Sequence, residues 1–329
     1  MKIGMISFAH MHAVAYANYL MQHPEIEIAG IWDDRSERGE QMASQYRTTF
    51  YQDLSHLLAT DIEAVVICSE NVHHKAHVLA AAESGKHILC EKPIATTITD
   101  AKQMIAACKR KNVILQIAYP VRFSPVMQQV KQIIDKKEIG DIVALNGTNH
   151  GQMPGGWFID KSLSGGGAAT DHIVHLLDLT RWLLQDEVKN VYAELDTKFH
   201  PIDVEDCGMV SMEMESGAIF TIDPSWSRPK VFPTWGDVTL EIVGSTGSLT
   251  VDAFKQHFLL YSDQENKLQQ LPWVNDMDQA LVDDFVQCVI EQRKPSVTGE
   301  DGLRALEVVK GAYQAASTNE VVAIERIDV

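Results

Sequence analysis

The chain has 329 residues, 45% of them hydrophobic and 22% charged, which is the profile of an ordinary globular protein large enough for two domains. Its 45 acidic side chains outnumber 28 basic ones, and the formal net charge of -17 argues against nucleic acid and anionic membranes as partners. The first residues enter an apolar strand without a basic leader, and no apolar run reaches the roughly twenty residues of a membrane span. The five cysteines show no CxxC spacing, so we expect a reducing, cytoplasmic location.

The first 122 residues alternate short apolar runs with helical patterns. Strands are predicted at Lys2–Ser7, Ile26–Trp32, Ala64–Cys68, His87–Cys90 and Val113–Ala118. Helices are predicted between them at Ala13–Gln22, His74–Ser84 and Asp100–Lys111. Strands that alternate with helices are typical of βαβ units with right-handed crossovers. We therefore predict that residues 1–122 form an α/β dinucleotide-binding domain with a doubly wound parallel sheet.

The pattern changes after residue 122. An amphipathic helix, Pro125–Lys137, precedes strands in which apolar and polar residues alternate: Met209–Glu215, Ala218–Ile222, Thr239–Val243 and Ser248–Val251. Short turns join these strands in pairs, which indicates hairpins of a half-exposed antiparallel sheet. Helices at Asp276–Gln292 and Gly302–Ser317 close the chain. Residues 123–329 are predicted to form an α+β domain built on an open antiparallel sheet, with the last helix packing back on the first domain.

The loop after the first strand departs from the dinucleotide fingerprint. It reads Ser7-Phe8-Ala9-His10-Met11-His12, whereas G-x-G-x-x-G places small residues at positions 7, 9 and 12. Its position is nevertheless suitable, because a helix N-terminus that follows a strand offers free amides to a pyrophosphate. We expect the cofactor here, with Phe8 or His10 packed against it, and we expect His12 to crowd the contact between helix and strand.

Polar residues at later strand ends complete the predicted cofactor site. Asp33 and Asp34 end the second strand, where a carboxylate hydrogen-bonds the adenosine ribose and repels a 2′-phosphate. NAD is therefore favoured over NADP, although Arg35 could face a phosphate. Three more polar residues follow the third strand at the edge where ligands bind: Ser69, Asn71 and His74. The alternatives are a solvated turn for the acidic pair and a surface position for the histidine.

Two segments carry the predicted chemistry. Glu91-Lys92-Pro93 closes a short strand, and Pro93 restricts Lys92 to an extended conformation in which its ammonium could donate to a substrate oxygen. Asp171 and His175 lie one helical turn apart, just after Gly165-Gly166-Gly167. His175 can accept a proton near neutrality, and Asp171 can fix its tautomer or bind a second hydroxyl. Such a set suits proton-coupled hydride transfer.

In this order, the segments resemble the glucose–fructose oxidoreductase / inositol dehydrogenase (Gfo/Idh/MocA) family over nearly the whole chain. The matching segments are 74–82, 85–93, 122–125, 138–140, Trp157-Phe158, 165–178 and 244–249. The resemblance implies a Rossmann domain and a second domain whose open antiparallel sheet forms homodimers or homotetramers. It also implies NAD(P)-linked hydride transfer at a secondary alcohol of a sugar, inositol or related polyol.

The resemblance further implies roles for single residues. Lys92, Asp171 and His175 fall on the family's catalytic positions. Glu91 and Lys92 also join the predicted cofactor contacts. Substrate contacts are implied for four residues: Tyr119, Arg122, Trp157 and His172. No metal is expected in this interpretation.

Two other functions stay open at this point. A non-catalytic homologue that senses a sugar or nucleotide would keep the fold without the chemistry; the degenerate loop favours it and the intact lysine, aspartate and histidine oppose it. A metal-dependent lyase or hydrolase would instead draw its ligands from His10, His12, His172 and His175.

Overall fold

A computed structural model describes residues 1–255, 257–262, 267–272 and 276–327 of the protein. The helices are α1 (His12–Gln22), α2 (Ser36–Tyr46), α3 (Leu54–Leu58), α4 (His74–Glu83), α5 (Ile98–Lys111), α6 (Pro125–Asp135), α7 (Lys161–Ser164), α8 (Ala168–Leu184), α9 (Met277–Glu291) and α10 (Gly299–Thr318). Short 3-10 turns occur at Asn71–His73, Pro120–Phe123 and Gly156–Ile159.

The strands are β1 (Lys2–Ile6), β2 (Glu27–Trp32), β3 (Phe50–Tyr51), β4 (Ala64–Ile67), β5 (His87–Cys90), β6 (Leu115–Ile117), β7 (Ile142–Thr148), β8 (Val188–Asp196), β9 (Cys207–Met214), β10 (Ile219–Asp223), β11 (Thr239–Gly244), β12 (Ser248–Asp252), β13 (His257–Ser262), β14 (Lys267–Pro272) and β15 (Val322–Ala323). The last two hairpin strands, β13 and β14, pair only with each other among the described residues.

The first sheet is parallel throughout and has the strand order β3-β2-β1-β4-β5-β6. This doubly wound arrangement confirms the predicted fold. The order reverses between β1 and β4, so the loops after these strands diverge and leave a crevice at their carboxyl ends. The loop at 7–12 and the segment at 91–93 both lie at that edge.

Helices cover both faces of this sheet, as its continuous apolar strands require. Alternate residues of one strand point to opposite faces, so Ile3 and Met5 pack with α1 and α9, while Ile6 packs with the layer that contains α4 and α5. The predicted strand ends are correct to within a residue or two for most elements. The helix α2 and the two-residue strand β3 were absent from the sequence-based assignment.

The second sheet is mixed, with the order β12-β11-β7-β10-β9-β8-β15. The sheet is antiparallel, as predicted, except at one pair, where β10 runs parallel to β7. A parallel pair needs a long crossover, and the chain between these strands supplies it with α7, α8, β8 and β9. One consequence is that α8, which carries Asp171 and His175, packs against this sheet and faces the first one.

The two C-terminal helices return to the first part of the molecule. Helix α9 packs on α1 through Phe285 and its neighbours, within the core of the first sheet. Helix α10 packs against α5, α8 and β8 and so joins the two parts of the molecule. Among the described helices, none combines the length and hydropathy that crossing a bilayer requires.

Candidate active site

The carboxyl ends of β1 and β5 meet the start of α8 around a cavity of about 390 Å³. One side of the cavity is polar and is lined by residues that the sequence singled out: His10, His12, Lys92, Asp171, His172 and His175. Much of the remaining lining is apolar and includes Phe158, Trp235, Phe254 and Met277. The two predicted catalytic segments, far apart in sequence, therefore meet in one cleft.

Asp171 is the most heavily contacted carboxylate of the cavity. Its Oδ1 accepts from Lys92 Nζ at 2.5 Å, and its Oδ2 accepts from Trp226 Nε1 at 3.2 Å and lies 3.2 Å from His172 Nε2. The other ring nitrogen of His172 lies 2.8 Å from the carbonyl of Pro224. Burial alone would raise the pKa of Asp171, but the charges of Lys92 and His172 hold that pKa well below its ordinary value. Asp171 is thus a fixed anion that orients Lys92.

His175 is free of this network. Its Nδ1 is buried and has no hydrogen-bond partner among the described residues, and its ring meets Tyr119 edge-on at 5.9 Å between centroids. Desolvation and the nearby charge of Lys92 lower the pKa of His175 well below its usual range. We expected that Asp171 could fix the tautomer of His175. It does not, because the Asp171 carboxylate accepts its hydrogen bond from Lys92 instead. His175 is consequently a neutral base beside an ammonium group.

The loop at 7–12 makes its tight turn without glycine. Ser7 adopts a left-handed conformation, with φ of 68°, which is the region that a glycine enters at no steric cost. Its Oγ accepts from the Ala9 amide at 3.2 Å and holds the turn. Met11 provides no side-chain cap to α1, and the first turn of α1 contains no acidic residue. The residues present therefore fit the pyrophosphate of a dinucleotide at this helix N-terminus.

His12 does not crowd the helix–strand contact, contrary to expectation. Its side chain turns toward Glu91, with 3.1 Å between His12 Nδ1 and Glu91 Oε1, while His10 Nδ1 lies 3.5 Å from the same oxygen. Burial lowers the pKa of His12, but the charge and hydrogen bond of Glu91 outweigh it and raise the pKa. Burial dominates at His10 and lowers its pKa to about 3. Burial raises the pKa of Glu91, yet the two histidines and Lys92 bring it below its ordinary value.

The carboxylate of Asp33 closes the same loop from the end of β2. It accepts from the Phe8 amide at 2.8 Å and from two guanidinium nitrogens of Arg38 at 2.8 and 2.7 Å. Arg38 also contacts Asp34 at 2.8 Å and Ser7 Oγ at 3.2 Å. Sequence reasoning missed Arg38, because α2, the helix that brings its guanidinium back to the two aspartates, was itself not predicted. The acidic pair is therefore partly neutralised and is not a freely solvated turn.

The polar residues after β4 connect segments. Asn71 Nδ2 donates to the Ser164 carbonyl at 2.8 Å, which ties this strand end to the glycine segment before α8. The ring nitrogens of His74 lie 2.9 Å from the Pro93 carbonyl and 3.1 Å from that of Ser69. His74 is fully buried, so the alternative of a surface histidine is wrong. These contacts join the end of β4 to Pro93, the residue after Lys92, and to the segment before α8.

Of the four residues that the resemblance placed near the substrate, His172 lines the cavity and Tyr119 backs His175. Trp157 covers the loop at 7–12, since its Nε1 donates to the Ala9 carbonyl at 3.1 Å and its ring stacks on Phe158. Arg122 lies elsewhere: its guanidinium is bound by Asp178 at 2.7 and 2.6 Å and by Asp301 at 3.1 Å. The buried Asp178 and the half-buried Asp301 hold it, and the described lining of the cavity does not include it.

Several lining residues carried no signal in the sequence. Trp235, Phe254 and Met277 belong to no motif, and their place at the cavity follows from the way the mixed sheet and α9 fold over α8. Trp226 is also new, being fully buried and bonded to Asp171. Such residues are found only once the tertiary contacts are known.

A doubly wound sheet whose carboxyl edge faces a lysine, an anchored carboxylate and a neutral imidazole defines a class, the dinucleotide-dependent oxidoreductases. Residues 1–119 match the family described as oxidoreductase family, NAD-binding Rossmann fold. Residues 127–250 match the GFO/IDH/MocA C-terminal domain. The chain belongs to the GFO/IDH/MocA family of oxidoreductases, as the sequence predicted.

Known proteins resemble the chain over its whole length. Myo-inositol 2-dehydrogenase of Thermotoga maritima is 26% identical, covering 99% of this chain and 99% of its own. Uncharacterized oxidoreductase YrbE of Bacillus subtilis is 28% identical over 93% of this chain and 91% of its own. The structure of GenD2 from gentamicin A biosynthesis, in complex with NAD, has a TM-score of 0.91 at 23% identity and covers 99% of this chain and 97% of its own. This last likeness concerns the fold.

Proposed function

We propose that the protein transfers a hydride between NAD and a secondary alcohol of a sugar, inositol or related polyol. One observation carries the proposal: the ammonium of Lys92, anchored by Asp171, and the neutral imidazole of His175 line the same cavity at the carboxyl edge of the Rossmann sheet. The names of relatives such as myo-inositol 2-dehydrogenase support the substrate class.

We assign the acid–base roles as follows. In the oxidation direction, His175 accepts the hydroxyl proton at Nε2, because Nδ1 is enclosed by the protein. Lys92 donates a hydrogen bond to the same substrate oxygen and stabilises the developing alkoxide. Asp171 holds the ammonium in place through a charge-assisted hydrogen bond. In reduction, the protonated His175 returns its proton to the carbonyl oxygen.

The cofactor would lie along the carboxyl edge of the first sheet. When bound, NAD supplies the hydride acceptor at its nicotinamide ring. The loop from Ser7 to His12 and the N-terminus of α1 would hold the pyrophosphate, and Asp33 with Asp34 would contact the adenosine ribose. Ser69, Asn71 and His74 would lie along this edge beside the cofactor. Glu91 and Lys92 would lie at its nicotinamide end. Asp34 and Asp33 favour NAD over NADP.

The test is a screen of sugars and cyclic polyols with NAD and NADP, in both directions, on chelator-treated protein without a tag. Appearance or loss of reduced nicotinamide absorbance with at least one such substrate is the expected result. The matched control is the Lys92→Met protein, which should bind NAD and show no comparable turnover. NAD binding without turnover in any pair would favour a sensing role, and activity that returns only with added metal would favour a lyase or hydrolase.

We also infer a homo-oligomer formed through the mixed sheet, as a dimer or tetramer. Met209, Ile219 and Val243 are 52%, 56% and 40% exposed, and the strand register places them on the face that α8 does not cover. Exposed apolar residues that share one sheet face are typical of an interface. Molar mass from light scattering, compared between wild type and Ile219→Lys, tests the inference.

The division into residues 1–122 and 123–329 is likewise a proposal. The strands of the parallel sheet end at Ile117 and those of the mixed sheet begin at Ile142, while the C-terminal helices return to the first part. A cytoplasmic location is supported by the five cysteines, all of which are free thiols.

A further inference from the structure

We propose that His10, His12 and Glu91 form a binding site for one divalent transition-metal ion, of the zinc or cobalt class, at the edge of the active-site cavity. The proposal does not depend on the identity of the substrate or on the hydride chemistry. It departs from the expectation of a metal-free site, and it names a ligand set that the sequence alone did not assemble, because Glu91 comes from a different strand.

The geometry of the three side chains matches such an ion. One ligand atom from each residue lies within 4.8 Å of the others, with Glu91 Oε1 at 3.1 Å from His12 Nδ1 and 3.5 Å from His10 Nδ1. Bonds of about 2.0–2.1 Å at tetrahedral angles place ligand atoms about 3.3 Å apart. The 3.1 Å between Glu91 Oε1 and His12 Nδ1 is close to this value, and the third ligand, His10, offers a nitrogen within the same 4.8 Å cluster.

Two buried polar atoms nearby have no hydrogen-bond partner among the described residues. They are Nε2 of His10, whose residue is 2% exposed, and Oδ1 of Asp278. Both residues line the cavity that His12 also lines. His10 Nδ1 accepts from the His12 amide at 3.2 Å, so Nε2 is the ring nitrogen left to bind an ion. Unsatisfied buried groups are rare in folded proteins, and two of them beside a cluster of imidazoles and a carboxylate indicate a missing ligand. Asp278 could reach the ion directly or through water.

The charges around the cluster also suit a cation. The ammonium of Lys92 is held in an ion pair with Asp171, so it does not compete with a cation for the buried carboxylate of Glu91. His12 Nδ1 and Glu91 Oε1 now share a proton in a hydrogen bond, and a metal ion bound by both atoms would replace that proton. Two histidines and a glutamate with an open side toward a cavity form the ligand set of catalytic zinc sites, in which the open position accepts a substrate oxygen or water.

The experiment uses the full chain without a histidine tag, stripped with a chelator and then titrated with Co²⁺ or Zn²⁺. We expect one equivalent per chain to survive gel filtration by elemental analysis, and Co²⁺ to show the visible absorption of a four- or five-coordinate site. Glu91→Gln and His10→Ala should each weaken binding by about 100-fold. The isosteric glutamine keeps the test valid if the alanine variant does not fold, and circular dichroism checks both.

His77→Gln is the matched control, because His77 is a buried histidine of the same sheet edge that lies outside the cluster. Its affinity for Co²⁺ should equal that of the wild type. The assignment is overturned if the wild type retains no stoichiometric metal, or if Glu91→Gln binds as tightly as the wild type. It is equally overturned if His172→Gln abolishes binding while Glu91→Gln does not, since the ion would then lie at α8.

Discussion

The two sides of the cavity are built on different principles. On the α8 side, the predicted side chains are present and each has a distinct chemical role, since Lys92 is charged, Asp171 anchors it and His175 is a neutral base. On the loop side, the expected glycines are replaced, yet Ser7 adopts the left-handed turn and His12 finds a buried partner in Glu91. The chemical role of a side chain requires that particular side chain. A backbone conformation, in contrast, can be adopted by several residue types at a modest cost in free energy.

The largest expected effect tests the α8 side. Lys92→Met and His175→Gln should each lower kcat by about 10²–10⁴-fold, because Lys92 stabilises the developing alkoxide and His175 accepts the proton in the transition state. NAD binding, followed by fluorescence or calorimetry, should change little. Lys109→Met and His56→Gln alter exposed residues and serve as controls. Full turnover in both site variants would remove the acid–base assignment.

The next effect tests how tightly the start of α8 is held. A Cβ on Gly167 would lie 2.1 Å from the carbonyl oxygen of Glu205, a backbone atom that cannot move aside. Gly167→Ala should therefore lower the free energy of unfolding by about 3 kcal/mol, measured by urea denaturation, and displace Asp171. Gly4→Ala is the control, since its Cβ would meet the tip of the Ile62 side chain at 3.0 Å. Equal losses in the two variants would show that the segment before α8 is deformable.

A third prediction tests whether the pairing of His12 with Glu91 compensates for the missing glycine. His12→Ala leaves the buried carboxylate with fewer partners and should cost about 2 kcal/mol of unfolding free energy in metal-free protein. The pKa of His12 is raised in the folded state, so the pair stabilises fully below the unfolded pKa of about 6.5 and loses its effect as pH rises through the folded pKa. The difference from wild type should shrink at high pH, and His56→Ala should show no such trend. A difference that grows with pH would contradict the pairing.

Local sequence patterns predicted the structural features that depend on residues close together in the chain. The alternation of apolar runs with helical segments gave the parallel sheet, and the spacing of Asp171 and His175 gave their common face. Features that depend on distant contacts were not predictable: the parallel pairing of β10 with β7, the capture of Arg122 by Asp178, and the bond from Trp226 to Asp171. In each case the two partners lie far apart in the sequence, and only tertiary packing brings them together.

The smallest effect concerns Arg38, the residue that the sequence did not reveal. Its guanidinium binds Asp33 and Asp34 together, so the adenosine end of the loop carries one net negative charge instead of two. Arg38→Leu removes the compensation and should increase repulsion of a 2′-phosphate, raising the ratio of kcat/KM for NAD over NADP by about tenfold. Arg110→Leu, at an exposed ion pair on α5, is the matched control and should leave the ratio unchanged. A shift toward NADP in Arg38→Leu would mean that the two aspartates do not face the ribose. The loop side would then bind its cofactor through different residues, while the α8 side would stand as described.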